Sequence, residues 1–356
     1  MKIVYLVNDV EAQTGITQKV KQNAKQWVAL EHEVFFISLK TLSVFDQNMD
    51  LVFKKKIYKF SLGRLATALN LLISYFYLFY LVKFVGPDLI YTRYLIYTPF
   101  INRVMKKYKV VMEINGDDLV EYKLKSRVTY LYNLWTRNFL LNYVDGFVCV
   151  SRELKEKFNY LCKPIIVIAN GVDIDQFEIK RARNKRPILV FIVSSNKAWH
   201  GLDKVVRMSE YYRDFDFYII GLAGNDRENL KYFGSLSQKD STAVIQQCDV
   251  GISTLSLYKA GLNEASPLKT RQYLSCGLPI IYAYEDTDID QSSVFSLRLE
   301  NTENNIDDDV VRDFVLKVFN KEEIRSLARK YAENFLAYKI KEKERLIFFK
   351  EVISEQ

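Results

Sequence analysis

Two α/β domains in one chain, each a parallel sheet flanked by helices, are what this sequence predicts. Three observations predict them. The length of 356 residues suits two domains at about 150 residues each. The content of 49% hydrophobic and 26% charged residues belongs to a chain that buries cores rather than remaining disordered. Short β-branched or aromatic runs alternate with helical segments in two successive series, which is the pattern of βαβ units.

The first series has strands expected at KIVYLVN (2–8), EVFFISL (33–39), KKIYKF (55–60), DLIYTR (88–93), KVVMEIN (109–115) and GFVCVS (146–151). Helices are expected between them near 16–30, 64–84, 96–106 and 122–142. PIIVIANGVDIDQF (164–177) follows, and the polar, basic EIKRARNKRP (178–187) reads as a linker. The alternation then restarts. PILVFIVSS (187–195) is a strand and HGLDKVVRMSEYY (200–212) a helix. FDFYIIGLAG (215–224) and LKYFGSL (230–236) are strand–loop units, and SQKDSTAVIQQC (237–248) is a helix. DVGISTL (249–255) and LPIIYAY (278–284) are strands, and 321–356 is a long helical region. Two Rossmann-like domains result, with a hinge near 170–187. Ligands of such sheets sit outside the carboxyl ends of the strands, so two facing domains make an interdomain cleft.

Several classes are disfavoured. The net charge of +8 calls for an anionic partner, but the Lys and Arg are scattered and no nucleic-acid signature appears. The four cysteines, Cys149, Cys162, Cys248 and Cys276, have no C-x-x-C spacing and only two His exist, so a zinc site is not expected. A nicotinamide dehydrogenase would show G-x-G-x-x-G after the first strand; NDVEAQTGITQKV offers a single Gly15. MKIVYLVND runs straight into a strand pattern, without the h-region of a signal peptide. ATALNLLISYFYLFYLV (66–82) is 17 residues without a charge, at the short limit for a membrane span. A half-buried helix, a helix dipping into the membrane interface and a true span are its three readings.

The stretch NEASPLKTRQYLSCGLPII (263–281) reads as loop, helix and buried strand. Ser266 is placed to cap the helix with Pro267 as its first residue, leaving N–H groups and a positive dipole end free for an anion. Lys269 adds a cation in the first turn, unfavourable for the dipole by itself and sensible if an anion sits there. An ordinary capped helix with a solvated lysine is the alternative.

The order of these motifs resembles the retaining GT-B glycosyltransferases of the family-4 type. HEVFFISL, PDLIYTR, VDGFVCVS, IANGVDIDQF, HGLDKV, YIIGLAG, YFGSLSQKDSTAVIQQCDVGIST and NEASPLKTRQYLSCGLPII carry the resemblance over nearly the whole chain. It implies transfer of a sugar from a nucleotide-diphosphate donor with retention, without a cofactor or obligatory metal, to a saccharide or lipid-linked acceptor. It also implies an N-terminal acceptor domain at 1–170, a donor domain at 171–330, and a C-terminal helix at 331–356 crossing back, with Phe335 and Tyr338 ahead of its basic run.

The resemblance places Ser266, Pro267, Leu268 and Lys269 on the donor phosphates, and Glu264 by the donor sugar. Gln272 stands where the family has a second acid on the ribose; it keeps hydrogen-bonding ability without charge. In SSNKAWHG (194–201), Ser195 and His200 occupy the slots of a phosphate-clamping Arg and Lys, and Lys197 is the nearest cation. Gly15 would let the backbone approach the donor, and the loop around Gly234 would cover the nucleobase. Asn115 and Asp117 are candidates beside Glu264 for catalysis, and Asp118 and Arg152 for the acceptor; the aspartates could instead cap a helix. The Asp-x-Asp pairs at 173–175, 286–288 and 288–290 sit in turn-like contexts and are not expected to bind metal, and His32 is expected to be structural. The expected setting is cytoplasmic, with peripheral contact on the inner face of the membrane, in cell-surface polysaccharide synthesis. Gln272, Ser195 and Asn115 motivate the alternative of a catalytically inactive GT-B partner subunit or glycan-binding protein.

Overall fold

The computed structural model describes residues 1–12, 14–56, 60, 63–179, 183–193, 196–304 and 306–355, with the side chains at 64, 65, 67 and 68 outside that description. The chain divides into two compact units, Met1–Ile168 with Lys341–Gln356, and Ala169–Ile340.

In chain order the first unit holds β1 (Lys2–Val7), α1 (Gly15–Ala29), β2 (Glu33–Ser38), β3 (Ser43–Phe45), β4 (Leu51–Lys54), α2 (Gly63–Val85), β5 (Leu89–Arg93), α3 (Ile101–Met105), β6 (Lys109–Ile114), α4 (Asp118–Lys125), α5 (Arg127–Leu141), β7 (Gly146–Cys149), α6 (Arg152–Phe158) and β8 (Ile165–Val167). Its eight-stranded sheet has the order β4-β3-β2-β1-β5-β6-β7-β8. β3 and β4 add antiparallel at one edge, and the other pairings are parallel.

The second unit holds β9 (Ile188–Ile192), α7 (Leu202–Tyr211), β10 (Asp216–Ile220), β11 (Leu230–Tyr232), α8 (Gln238–Ile245), β12 (Val250–Ile252), β13 (Glu264–Ala265), α9 (Leu268–Ser275), β14 (Ile280–Tyr282), β15 (Glu285–Asp286), β16 (Ser296–Arg298), α10 (Asp308–Val318) and α11 (Glu322–Tyr331). Its six-stranded sheet, β11-β10-β9-β12-β14-β16, is parallel throughout. A π-helical turn, Ala332–Leu336, leads into the last helix, α12 (Tyr338–Ser354), which belongs to the first unit from Lys341 onward.

The strands form where β-branched and aromatic runs allow burial on both faces, as parallel sheets require. In the first core Trp27 lies 5.4 Å from Tyr5 and 5.5 Å from Phe349 of α12. A Cβ on Gly146 would meet Val352 Cγ2 at 2.8 Å, so glycine at the start of β7 admits α12. In the second core a Cβ on Gly251 would meet the Tyr273 ring at 2.4 Å. Glycine in β12 therefore lets α9 lie close against the sheet.

The structure departs from the expected elements in several places. The strand expected at 55–60 falls partly on residues 57–59, outside the described residues; the described hairpin strands are β3 and β4. The helix expected at 96–106 shortens to α3, and that at 122–142 is two helices broken at Ser126, whose backbone is extended and whose side chain caps α5. α10 and β16 were not foreseen. Of the readings of 66–82, the structure has a partly buried helix. Tyr75, Leu78, Leu81 and Val82 face the core while Tyr80 and Phe84 are exposed, and among the described residues no helix is long and apolar enough to cross a membrane.

Candidate active site

The strand order of the second unit reverses between β9 and β12, and the carboxyl ends of strands at such a switch point are where open α/β sheets bind ligands. Three segments converge there: the end of β9, the end of β12, and the start of α9. Tyr273 fixes α9 by accepting the Ile192 N–H at 2.7 Å through its hydroxyl. Beneath the first turn Ser253, Thr270 and Tyr284 form a closed triangle of buried hydroxyls, with distances of 2.7, 2.7 and 3.1 Å.

Ser266 is not the cap. The N-cap position is Pro267, in extended backbone, and no side chain caps the helix. Ser266 Oγ instead accepts the Asn170 N–H at 2.8 Å, and the Ser266 carbonyl accepts from Asn170 Nδ2. The N-terminus of α9 therefore meets no capping side chain of its own, and Leu268 and Lys269 open its first turn.

Lys269 is the unusual residue. Its Nζ is buried and has no hydrogen-bond partner among the described residues; it sits 4.2 Å from the centroid of the Phe191 ring. Burial pulls its ammonium from an ordinary 10.5 down to about 7. A cation–π contact is worth about 2 kcal/mol when desolvated, which does not replace a lost hydration shell. His200 is beside it. Its Nδ1 is also buried and unpartnered among the described residues. Burial, then the positive charges of Lys269 and Lys197, lower the imidazole to about 3. His200 is thus neutral here, a hydrogen-bonding group rather than a cation. It is held by the turn at Gly201, whose φ of +81° needs glycine and where a Cβ would meet Leu255 Cβ at 2.8 Å.

Glu264 is buried in β13, in register with Glu285 of β15. Gln272 is half-buried, three residues after Lys269. Lys197 is exposed and stacks over Trp199 at 4.5 Å. Gly234 adopts φ +62° in the loop after β11 and bonds to Leu222 and Gly221 through its backbone. Ser195 lies outside the described residues.

Arg271 was missed by sequence reasoning. It is fully buried, pairs with both oxygens of Asp286 and with Asp288 at 3.1 Å, and donates Nε to the Asn170 carbonyl at 3.1 Å. It ties α9 to the 170 segment and occupies the Asp286–Asp288 carboxylates. An Arg two residues past the Lys, with an Asp-x-Asp downstream, was the available signal.

The first unit treats its candidates differently. Gly15 is the first residue of α1, capped by Thr14, and not part of the preceding loop. Asp117 caps α4 through Oδ1, at 3.0 and 3.3 Å from the Leu119 and Val120 N–H groups, and its Oδ2 accepts from Lys157 at 2.9 Å. Asp118 is buried under a bidentate Arg137 at 2.8 and 3.0 Å and accepts from Asn133 at 2.6 Å. Asp118 is therefore a structural carboxylate rather than an acceptor contact, and Asp117 takes the capping role. Asn115 bridges a buried ion pair: its Oδ1 accepts from Lys19 at 3.3 Å and its Nδ2 donates to Glu113 at 2.9 Å. Arg152 is exposed on α6, which Ser151 caps at 3.2 Å. His32 Nδ1 lies 3.2 Å from the N-terminal amine. Among the described residues no group of three or more His, Cys, Asp or Glu is arranged to hold a metal.

Residues 14–176 match the model of Glycosyltransferase Family 4. No curated protein matches in sequence. Among solved structures, sucrose-phosphate synthase from Thermosynechococcus elongatus superposes with a TM-score of 0.79 at 11% identity over all of both chains. A glycosyltransferase from Rickettsia africae gives 0.68 at 15% identity over all of this chain and 99% of that one. Anabaena HepE, solved with UDP and glucose, gives 0.63 at 13% identity over 99% and 100%. At these identities the likeness is one of fold, and that fold is GT-B.

Proposed function

We propose that this chain is a glycosyltransferase, since residues 14–176 match the family-4 model and the whole chain has the GT-B fold, and from that reading we infer a donor site and a mechanism. The donor is a nucleotide-diphosphate sugar. The observation that carries this reading is the buried ammonium of Lys269, unpartnered among the described residues, at the uncapped start of α9. A diphosphate there would accept from the first-turn N–H groups, meet the positive end of the dipole, and return to Lys269 the charge that burial suppresses. His200 would add a neutral hydrogen bond.

Catalysis on this reading is electrostatic. Charge grows on the diphosphate as the glycosidic bond breaks, and prepositioned donors stabilise it most in the transition state. Glu264 would position the sugar, Gln272 the ribose, and the Gly234 loop the base. The acceptor hydroxyl would attack from the face the diphosphate leaves, a donor phosphate oxygen taking its proton, so that configuration is retained. A structural relative solved with UDP and glucose makes UDP the first nucleotide to try. A saccharide or lipid-linked acceptor, in cell-surface polysaccharide synthesis, is the acceptor class. An inactive partner protein is the second reading, favoured by the internal engagement of Asp117 and Asp118.

Calorimetric titration of UDP, GDP and their sugars into the full chain, with Lys269→Ala and Glu264→Ala alongside, tests this. Micromolar binding of one nucleotide, lost in Lys269→Ala, supports the site. Binding to none of them supports the partner reading, and binding indifferent to Lys269 removes the diphosphate assignment.

A further inference from the structure

Helix α5 is inverted relative to its surroundings. Its inner side is polar through the middle of the helix, where Asn133 and Thr136 are buried and Asn133 bonds to Asp118 and Tyr94, and turns apolar only at its end, at Leu140 and Leu141. Its outer side is apolar. Val128, Leu131, Trp135 and Phe139 are each at least half exposed, Trp135 at 74%, at the spacing of one helical face. A helix on a globular domain normally buries its apolar stripe, and single exposed apolar residues are common where contiguous ones are not.

The stripe continues onto neighbouring elements of the same unit. Phe139 lies 5.8 Å from Tyr97, which accepts through its carbonyl from the Tyr132 hydroxyl at 3.0 Å. Three residues on, Phe100 lies 5.4 Å from Phe76 of α2, whose outer side adds Tyr80 and Phe84. A cavity of about 500 Å³ opens here, with Lys55 and Lys56 beside Phe76, Tyr77 and Phe100. Cations overlie the rings: Arg103 on Phe76 and Phe100, Lys55 on Tyr77, Lys107 on Phe79 and Lys106 on Tyr143.

The charge follows the same pattern. Residues 51–144 contain fifteen Lys and Arg against five Asp and Glu, a net +10, where the whole chain carries +8. Two of the five acids, Glu113 and Asp118, are buried in ion pairs. The excess positive charge of the protein therefore resides in the segment that exposes these rings.

We propose that this face docks on an anionic bilayer surface, with Trp135 and Phe139 at the headgroup–acyl boundary and the lysines on headgroup phosphates. Aromatic rings and Lys or Arg stems suit that boundary, and each cation near an anionic leaflet tightens binding about fivefold. A second copy of the chain fits less well, because a two-fold contact would oppose two strongly positive faces. Nucleic acid fits the charge but leaves Val128 and Leu131 without a role. The inference deepens the lipid-linked acceptor reading, and its test uses neither donor nor acceptor, so the two can fail separately.

The test is co-sedimentation of the full chain with phosphatidylcholine vesicles, with and without phosphatidylglycerol, together with Trp quenching by brominated acyl chains. We expect at least about tenfold tighter binding to the anionic vesicles, weakened by salt, and quenching that Trp135→Phe removes. Trp135→Ser with Phe139→Ser should weaken binding about tenfold, and Lys106→Gln with Lys107→Gln about thirtyfold. Equal binding to both vesicle types, or absence of quenching, overturns the proposal. So does duplex DNA that binds as tightly and displaces the chain from vesicles. If the double aromatic variant does not fold, wild-type quenching and the lysine variant still decide.

Discussion

Lys19 in the first unit and Lys269 in the second both have buried ammonium groups, one beside a carboxylate and one over an aromatic ring. Lys19 meets Glu113 at 2.7 Å and Asn115 at 3.3 Å, with Arg345 also on Glu113 at 3.4 Å. Burial opposes the charge on Glu113, but Lys19, Arg345 and Arg93 outweigh it and hold the carboxyl well below its ordinary range. Burial lowers Lys19 to about 8 against the pull of Glu113. Lys269, over Phe191 with no partner among the described residues, falls to about 7. A folded chain tolerates a buried charge when it supplies the counter-charge. One left without it points to a partner supplied from outside.

The contrast makes opposite predictions for the two sites. Glu113→Ala leaves Lys19 buried without its carboxylate, while Arg345 keeps Glu342 at 2.9 Å, and should cost about 3–5 kcal/mol in denaturant unfolding. A loss under about 1 kcal/mol would mean that water enters the cluster. Lys269→Met removes a buried cation with no counter-charge, so stability at neutral pH should be unchanged or higher. Its diphosphate affinity should fall by about 1.5–3 kcal/mol, the worth of a charged hydrogen bond. A Lys269→Met variant that is less stable without ligand yet binds nucleotide as tightly as before would reverse the assignment.

The pH dependence of binding follows from the same lysine. Free Lys269 titrates at about 7 rather than 10.5, and an adjacent diphosphate raises that value. Between the two values the complex holds a proton that the free protein lacks, so binding takes up a proton and affinity falls as pH rises, by up to about tenfold per unit. Without ligand the sign reverses. The unfolded chain holds that proton from about pH 7 to 10.5 and the folded one does not, so Lys269 adds stability as pH rises through that window. Calorimetry of UDP in buffers of different ionisation enthalpy above pH 7 reads the uptake directly. Zero uptake would place the diphosphate away from Lys269.

Much of the frame could be read from residues alone. The strands at 2–7, 33–38, 89–93, 109–114 and 188–192 are strongly β-branched or aromatic. β3, β4 and β16 are too short for any period to register. The start of α9 was visible in Ser-Pro-Leu-Lys, but not that Ser266 would bond Asn170, 96 residues away. Local capping preferences lose when a distant backbone group competes for the same oxygen. The burial of Lys269 was equally hidden, because the sequence does not say that Phe191 lies beneath it. On α5 the periodicity reveals an apolar stripe but not which side faces the core. That was settled by Asp118, a buried carboxylate whose partners Asn133 and Arg137 drew the polar side inward.

Gln272 gives the smallest expected effect and separates ribose from phosphate recognition. It lies three residues after Lys269 on α9, so the two side chains share a helix face. Gln272→Glu places a carboxylate where it can accept from ribose hydroxyls, and a charged acceptor gains about 0.5–1 kcal/mol over a neutral one. UDP affinity should rise about two- to fivefold while inorganic pyrophosphate, which has no ribose, binds unchanged. The same carboxylate could instead close on Lys269 and supply a counter-charge that none of the described residues provides. Pyrophosphate and UDP would then weaken together, and the proton uptake above pH 7 would disappear because Lys269 would already be charged. Measuring both ligands at two pH values therefore decides whether position 272 addresses the ribose or the ammonium beside it.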